Sequence, residues 1–443
     1  MALVLQCPKF VRYHHAVQPA DFWVGRRLPV RQTLASSTIA LLLQFLCGTR
    51  ARGEDHADYR FEYYSEENGR IQVATQGILF EQMLAPWAKL RGKAVYDSIS
   101  GATPTGAPAP GGSGGGGGGG GDGGGGGEHA TRPKRKGGPL QAVAGATPAG
   151  GGSGSSQVPL AHMRDTRYAG DAAVDLRLAN QTVTPDLAYS TETDYQSIGV
   201  SLSDAIDFNQ KNTTLTLGVS HNFDTVKPKT WPASKPKDST DLLIGVSQLL
   251  NPKTILALDV TYGYDSGYLS DPYRSVVFDS SPTPGTLYPE NRPGTRTRET
   301  VLLSLTHFFD PLNGSGEVSY RLYNDSYGIL SHTLGLQWFQ RIGRHVILSP
   351  LIRYTTQSAA NFYATTFPGD PTAGTIPQYY SADYRLSSLS TYTYGLQLTG
   401  IINDRFYLDA GFKRYQMVGD DGQTAASAYP TANVYTAGFR YLW

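Results

Sequence analysis

The amino-acid sequence predicts an all-β fold: a transmembrane, antiparallel up-and-down β-barrel of about 16 strands (14–18) with long extracellular loops. Three observations lead to this fold class. Apolar and polar residues alternate over segments long enough to cross a bilayer, and long and short connections between these segments alternate. The chain also ends on an aromatic residue within such a segment.

The composition agrees with a barrel that has one apolar and one polar surface. The chain contains 28 Tyr and 51 Gly, only 17% charged residues, and has a mean hydropathy of −0.31. This mean hydropathy argues against a bundle of transmembrane helices. A secreted β-sandwich has a similar composition, so composition alone leaves both β folds open.

Residues 1–53 are the predicted signal peptide and leader. Three arginines precede an apolar run at 34–46, and a small-x-small cleavage site follows and ends at Gly53. These arginines are Arg26, Arg27 and Arg31. The apolar run is too short to cross a bilayer, which favours a cleaved signal over the alternative of a membrane anchor. Residues 54–443 are then the barrel.

Charge and cysteine content narrow the function classes of the mature chain. Residues 1–53 carry seven Lys or Arg and one Asp, and the total of +1 leaves the remainder mildly acidic. A mildly acidic chain lacks the excess of positive charge that binds nucleic acid, so no nucleic acid is expected as a partner. Cys7 and Cys47 both lie in the leader, which excludes disulfides and thiol catalysis from the rest of the chain.

Strand periodicity recurs along the predicted mature chain. In 254–267, for example, Leu256, Leu258, Val260 and Tyr262 alternate with small or polar residues. A strand with one large apolar face and one polar face suits a wall between lipid and a barrel interior. Sixteen such segments are predicted: 58–65, 70–81, 87–99, 164–178, 183–194, 197–208, 213–224, 238–250, 254–267, 295–309, 314–324, 328–343, 345–357, 385–402, 406–417 and 431–443.

The connections between the predicted strands alternate in length. Every long gap follows an odd-numbered strand, whereas the gaps after even-numbered strands are short and turn-like. The long gaps are 100–163, 225–237, 268–294, 358–384 and 418–430. An up-and-down barrel with both chain ends in the periplasm has this asymmetry, because its long loops are extracellular and its turns periplasmic.

The last strand resembles the carboxy-terminal assembly signal of outer-membrane barrels. Gly438, Tyr441 and Trp443 occupy the glycine and the two apolar positions of that signal. The resemblance implies recognition by the barrel assembly machinery and location in the bacterial outer membrane, with its lipid as a partner. The alternative interpretation is an ordinary terminal strand.

The segment 105–158 is rich in glycine and of low complexity, and we predict a flexible, solvated extracellular loop there. A phosphate-binding loop is not supported, because no Gly-Lys-Ser/Thr follows the glycines. Its basic triplet, Lys134-Arg135-Lys136, leaves contact with lipopolysaccharide phosphates as an alternative to a plain solvated loop.

No catalytic, cofactor-binding or metal-binding residues are predicted. No two histidines stand at metal-ligand spacing, and we expect no cofactor. Charged residues on inward positions are predicted to brace the wall or line a pore, and these lumen-facing residues are Asp175, Arg177, Asp259, Asp265, Arg353, Asp409 and Lys413. Alternation places Ser331 inward and His332 towards lipid, so that a Ser/His hydrolase site would need a serine from another strand. In the motif Asp271-Pro272-Tyr273-Arg274, turn chemistry is favoured over a binding role.

Several phrases together resemble a bacterial family catalogued as domain of unknown function 3570. They are Tyr96-Asp97-Ser98-Ile99-Ser100-Gly101-Ala102-Thr103-Pro104, Asp165-Thr166-Arg167, Lys211-Asn212-Thr213-Thr214, Gly267-Tyr268-Leu269-Ser270-Asp271-Pro272-Tyr273, Asp325-Ser326-Tyr327-Gly328, Gln357-Ser358-Ala359-Ala360-Asn361-Phe362-Tyr363 and Tyr379-Tyr380-Ser381-Ala382-Asp383. The resemblance covers nearly the whole mature chain. It implies an outer-membrane-like barrel with no established activity, in a family often encoded beside genes for flavin attachment and thioredoxin-like proteins.

We therefore expect an outer-membrane barrel that is not an enzyme and acts as a pore, or as a scaffold for a periplasmic, lipoprotein or surface partner. Two alternatives stay open. The family resemblance implies the first, a barrel component of an extracytoplasmic redox system linked to flavin and thioredoxin. The second is an outer-membrane ester or lipid hydrolase.

Overall fold

The structure, a computed structural model, describes residues 55–104, 160–228 and 230–443, without the side chains of 160–163. The predicted leader, 1–53, and the predicted glycine-rich loop, 105–158, lie outside the described residues. Within the described part of the chain, no helix is long and apolar enough to cross a membrane.

The chain forms a closed, antiparallel barrel of sixteen strands. The barrel strands are β1 (His56–Glu66), β2 (Gln72–Ala85), β3 (Ala88–Pro104), β4 (Leu160–Leu178), β5 (Gln181–Thr191), β6 (Tyr195–Phe208), β7 (Thr213–Val226), β8 (Lys235–Asn251), β9 (Thr254–Gly267), β12 (Thr295–Phe309), β13 (Gly314–Asp325), β14 (Leu330–Ile342), β15 (Val346–Gln357), β16 (Leu389–Ile401), β17 (Phe406–Gly419) and β18 (Thr431–Leu442). Two short strands, β10 (Ser275–Val276) and β11 (Tyr288–Pro289), form a separate ribbon between β9 and β12. Each predicted strand corresponds to one barrel strand, so the predicted all-β barrel of about 16 strands is confirmed.

The barrel closes between its first and last strands. β1 pairs with β18 along its whole length, from His56 opposite Leu442 to Glu66 opposite Ala432. The Arg440 guanidinium holds the Asp58 carboxylate with two hydrogen bonds of 2.7 and 2.6 Å across this seam. At its end, the Trp443 backbone N–H donates to the Asp55 carbonyl at 3.1 Å, so the seam is bonded as continuously as any other strand pair.

Side chains alternate between the outer and inner faces of the wall. On β9, Leu258, Val260 and Tyr262 are 41–44% exposed, whereas the intervening Asp259 and Thr261 are half-buried. The same alternation runs along β16, where Tyr394 and Leu396 face outward. A strand places successive side chains on opposite faces, so the period of two in the sequence becomes an apolar exterior and a polar interior.

Large aromatic side chains form two bands on the outer face. One band, near the long connections, includes Tyr168, Tyr189, Tyr354, Tyr392 and Tyr435, and the other, near the short turns, includes Trp87, Phe208, Phe309 and Tyr441. Leu and Val predominate between the bands, for example at Leu217, Val219, Leu303 and Leu305.

The two ends of the barrel differ in their connections. The short-turn rim has only brief turns, such as those at 209–212 and 310–313, and Asn313 adopts the left-handed backbone (φ 48°) that closes the second of these. The long-loop rim carries 268–294, 358–388 and 420–430. When only the barrel strands are counted, each of these long connections follows an odd-numbered strand, as the sequence predicted.

Candidate functional site

The inner wall carries the seven residues predicted to face the lumen, and the alternation of each strand places all of them on the inner face. Two of them, Asp175 and Asp265, form ion pairs with neighbouring strands. Asp175 accepts from Thr184 at 2.9 Å and pairs with Arg91 at 2.7 Å, and Asp265 pairs with Arg298 at 2.8 Å.

The remaining predicted lumen residues differ in their surroundings. Asp409 accepts hydrogen bonds from Gln397 and Thr399, at 3.3 and 2.5 Å. Arg177 is exposed near the short-turn rim.

Further up the wall, Arg353, Lys413 and Asp259 make neither a hydrogen bond nor an ion pair with any residue that the structure describes. Paired and unpaired charges share strands, since Asp259 lies on β9 with Asp265 and Lys413 lies on β17 with Asp409.

The long loops 268–294 and 358–388 fold together over the long-loop rim, and we call them the loop cap. Two apolar clusters hold the cap, one around Phe278 and Phe367 and one around Tyr327 and Leu386. The cap reaches far across the mouth, because Arg274 donates to Thr103 at 3.3 Å on β3, which is six strands away from β9.

A buried network of ion pairs lies inside the loop cap. The Asp383 carboxylate is fully buried and pairs with Arg292 at 2.8 Å and with Arg385. Arg385 also pairs with Asp271 at 2.9 Å, and Glu290 pairs with Arg292 at 2.7 Å. Three acids and three arginines, the third being Arg274, thus balance each other out of water.

The charges of this network set the ionisation of Asp383. Burial acts to raise the pKa of its carboxyl, but Arg385, Arg274 and Arg292 together hold that pKa well below its usual range. Burial raises the pKa of Glu290 against the opposing charge of Arg292. Breaking a buried pair leaves an uncompensated charge, so each member depends on the others.

A second acidic group lies beside the cap. Asp165, Glu192 and Asp194 have carboxylate oxygens within 4.8 Å of one another, and the Tyr273 hydroxyl of the cap donates to Asp194. Burial and the nearby Asp165 raise the pKa of Glu192 to about 8. Burial also raises the pKa of Asp194 to about 6, although the hydrogen bond from Tyr273 opposes this. The group therefore takes up protons more readily than isolated carboxyls.

The predicted assembly residues lie at the seam and the short-turn rim. A Cβ atom at Gly438 would lie 2.6 Å from the Tyr59 carbonyl oxygen, so this position of β18 has room only for glycine beside β1. Tyr441 faces outward and stacks on Trp443, with 6.1 Å between ring centroids.

Ser331 and His332 lie on opposite faces of β14. Ser331 is buried, and His332 bonds through Nδ1 to the Tyr320 hydroxyl, at 2.7 Å on the outer face. The His332 partner is thus a tyrosine of the neighbouring strand.

A family model described as "Protein of unknown function (DUF3570)" matches residues 31–443. The chain belongs to this family. No curated protein matches it.

Among solved structures, the DUF3570 chain is similar to other barrels. The match to the siderophore receptor PirA from Pseudomonas aeruginosa covers 88% of this chain and 62% of the receptor, at 9% identity and a TM-score of 0.40. The match to a bacterial polysaccharide outer membrane secretin covers 87% of this chain and 98% of the secretin, at 9% identity and a TM-score of 0.42. The match to CdiB from Acinetobacter baumannii covers 88% of this chain and 61% of CdiB, at 8% identity and a TM-score of 0.45. The chain thus spans about three-fifths of the length of the receptor and of CdiB.

Most of the phrases that carry the DUF3570 resemblance lie at the long-loop rim or in the loop cap. Asp271 illustrates what sequence reasoning missed there. Its side chain accepts from the Tyr273 N–H at 2.9 Å, which is the expected turn chemistry, and it also pairs with Arg385. Arg385 is 114 residues further along the chain, so no local pattern indicates this contact.

Proposed function

We propose that this DUF3570 protein is a water-filled pore in the bacterial outer membrane, with its long-loop rim outside the cell and its short-turn rim in the periplasm. The observation that carries the proposal is a closed wall with an apolar outer face and solvent-accessible charges on its inner face.

The outer face supports the membrane location. Contiguous exposed apolar surface on soluble monomers rarely exceeds a few hundred Å². Here, large apolar side chains are exposed on every barrel strand from β4 to β18, between two aromatic bands of the kind found at membrane interfaces. Lipid is the solvent that such a surface requires.

The inner face supports a pore. Side chains can fill a barrel of about eight strands, but 16 strands leave an aqueous channel. Arg60, Lys93 and Arg353 lie on the inner face and are nevertheless exposed, which requires water beside them. The loop cap stands over one mouth of this channel and controls the size of solute that can enter.

A scaffold for a surface partner is the second candidate function. The buried ion pairs of Asp383 hold the loop cap in one arrangement and give it a fixed outer surface. Pore and scaffold make different demands on the lumen, since only a pore needs an open path.

The test is planar-bilayer conductance with single-cysteine variants. Residues 54–443 contain no cysteine, so the introduced thiol is the only one that a reagent can modify there. Thr393→Cys places a thiol on the inner face, and Tyr394→Cys is the matched control on the outer face. A bulky methanethiosulfonate reagent should reduce conductance through Thr393→Cys only. If the protein inserts and folds but does not conduct, the result would contradict the pore and favour the scaffold. Recovery as a soluble periplasmic protein after fractionation would contradict the membrane location itself.

A further inference from the structure

We propose that Arg321, Arg353 and Lys413 form an anion-binding wall inside the barrel, an inference that rests on the proposed pore and specifies the charge class of its solutes. We call these three residues the basic wall. The solutes it fits are small anions that carry carboxylate or phosphate groups.

The three cations lie on alternate strands of one side of the barrel, on β13, β15 and β17. Arg321 lies opposite Thr333, which lies opposite Thr355, and Arg353 is two residues from Thr355 towards the short-turn rim. Lys413 is offset in the same way from Tyr415, the residue in register with Arg353. Strands in a barrel are tilted, so a steady offset of this kind keeps residues at one height.

Arg353 lies on the strand between those of Arg321 and Lys413 and is the neighbour that both share. Arg353 exerts an electrostatic influence on both Arg321 and Lys413. Glu62 and Arg60 of β1 also act on Lys413, so the whole group of five has a net charge of +3. Adjacent strand positions are uncharged, for example Gly335 and Thr393.

The basic wall makes no ion pair with the described residues, unlike most other inner-wall cations. Its paired counterparts include Lys89 with Glu81, Arg91 with Asp175, Arg167 with Asp97, Arg298 with Asp265 and Arg440 with Asp58. Cations that brace a wall have acidic partners, and like charges that stand together repel. Arg321, Arg353 and Lys413 are therefore placed to meet charge that comes from outside the protein.

Guanidinium groups suit carboxylates and phosphates because their donors form a planar fork that matches two oxygens at once. Arg353 is exposed to the lumen, and Arg321 and Lys413 are half-buried on either side of it. An anion that passes along this side of the lumen would meet all three cations at one height.

The first experiment measures the chloride-to-potassium permeability ratio from reversal potentials at low ionic strength. The variant is Arg321→Gln, Arg353→Gln and Lys413→Gln combined. Each charge acts on an ion a few ångströms away by a factor of about two to three, so the ratio should fall roughly tenfold. The matched control removes three exposed cations from the short turns by Lys211→Gln, Arg344→Gln and Arg405→Gln.

An unchanged ratio in the inner-wall variant, or an equal fall in the control, would overturn the basic wall while leaving the pore intact. A second variant, Arg321→Lys with Arg353→Lys, keeps the charges and should retain the wild-type ratio. Folding of every variant is checked by heat-modifiability on gels.

Equilibrium binding tests the basic wall without any need for conductance. The probe is the trisulfonated dye pyranine, followed by fluorescence anisotropy with the protein in detergent. Wild type should bind the dye in a salt-sensitive manner, and the Arg321/Arg353/Lys413→Gln variant should lose that binding while the short-turn control keeps it. Binding without conductance would contradict the proposed pore alone, and equal binding by all three proteins would contradict the basic wall alone.

Discussion

The barrel wall and the loop cap are held together in different ways. In the wall, every strand bonds to two neighbours through its backbone, and the side chains only have to suit lipid or water. In the cap, regular strands are limited to the β10–β11 ribbon, and buried side chains such as Asp383, Arg292 and Arg385 make the decisive contacts. The wall therefore tolerates many sequences that keep a period of two, whereas the cap depends on particular residues.

The largest expected effect comes from removing residues 441–443. The deletion takes away Tyr441 and Leu442, which pair with Ala57 and His56 at the seam, and leaves two strand edges open where lipid cannot satisfy them. Most of the folded barrel should be lost, as measured by the heat-modifiable fraction in the outer membrane. Deleting 372–374, three residues of the loop cap, is the control and should leave the yield unchanged. Equal yields would contradict the assembly-signal hypothesis.

Asp383→Asn should open the loop cap without opening the wall. Removing one charge from a buried pair costs about 3–5 kcal/mol, because the arginines around it lose their counter-ion. Hydrogen–deuterium exchange should rise in 268–294 and 358–388 and stay unchanged in β6 and β7. Asp370→Asn is the control, since Asp370 lies in the same loop, is only partly buried and belongs to no ion pair with the described residues. Equal acceleration in the wall strands would mean that cap and wall unfold as one unit.

Leu258→Arg tests the barrel wall rather than the loop cap. An arginine that faces lipid near the middle of the bilayer should cost about 2–4 kcal/mol, as measured by urea unfolding in lipid vesicles. Thr261→Arg, on the inner face of the same strand, is the matched control and should be tolerated by a water-filled lumen. Equal damage by Thr261→Arg would mean a packed interior, and a harmless Leu258→Arg would mean an outer face that does not contact lipid.

The smallest effect is expected at Glu192, where the cap meets the β5–β6 connection. The pKa of this carboxyl in the folded protein, about 8, lies above its ordinary value of 4.5. The folded chain therefore holds the proton more tightly than the unfolded chain, and stability is lost as the pH rises between these two values. Glu192→Gln should raise the thermal midpoint by a few degrees at pH values above that range and leave it unchanged below it. Asp404→Asn, in an exposed short turn, should show no such pH dependence.

Sequence alone predicted the wall well because its signal is local. Alternation along each strand fixes both the strand and the face of its side chains, as Leu258 and Asp259 show. The same alternation puts Arg321 on the inner face, but it does not show that Arg321 lacks a partner or that Arg353 lies beside it. Those facts depend on the register between strands, which the sequence does not state.

The loop cap was beyond prediction for a different reason. Its contacts join residues that are far apart along the chain, such as Tyr273 with Asp194 and Arg292 with Asp383. Loops have no repeating pattern that would reveal these pairs. The turn of Asp271 was predictable because it involves only its near neighbour Tyr273.

The seam between β1 and β18 has a consequence for how copies of this protein can meet. A sheet that ends in an unpaired strand offers its free N–H and C=O groups to other chains, and fibres and swapped dimers grow from such borders. Here, the bond from Trp443 to Asp55 and the full pairing of β1 with β18 leave no free border in the wall. Copies can therefore associate only through side chains on the outer face or through the loops, and not by adding strand to strand.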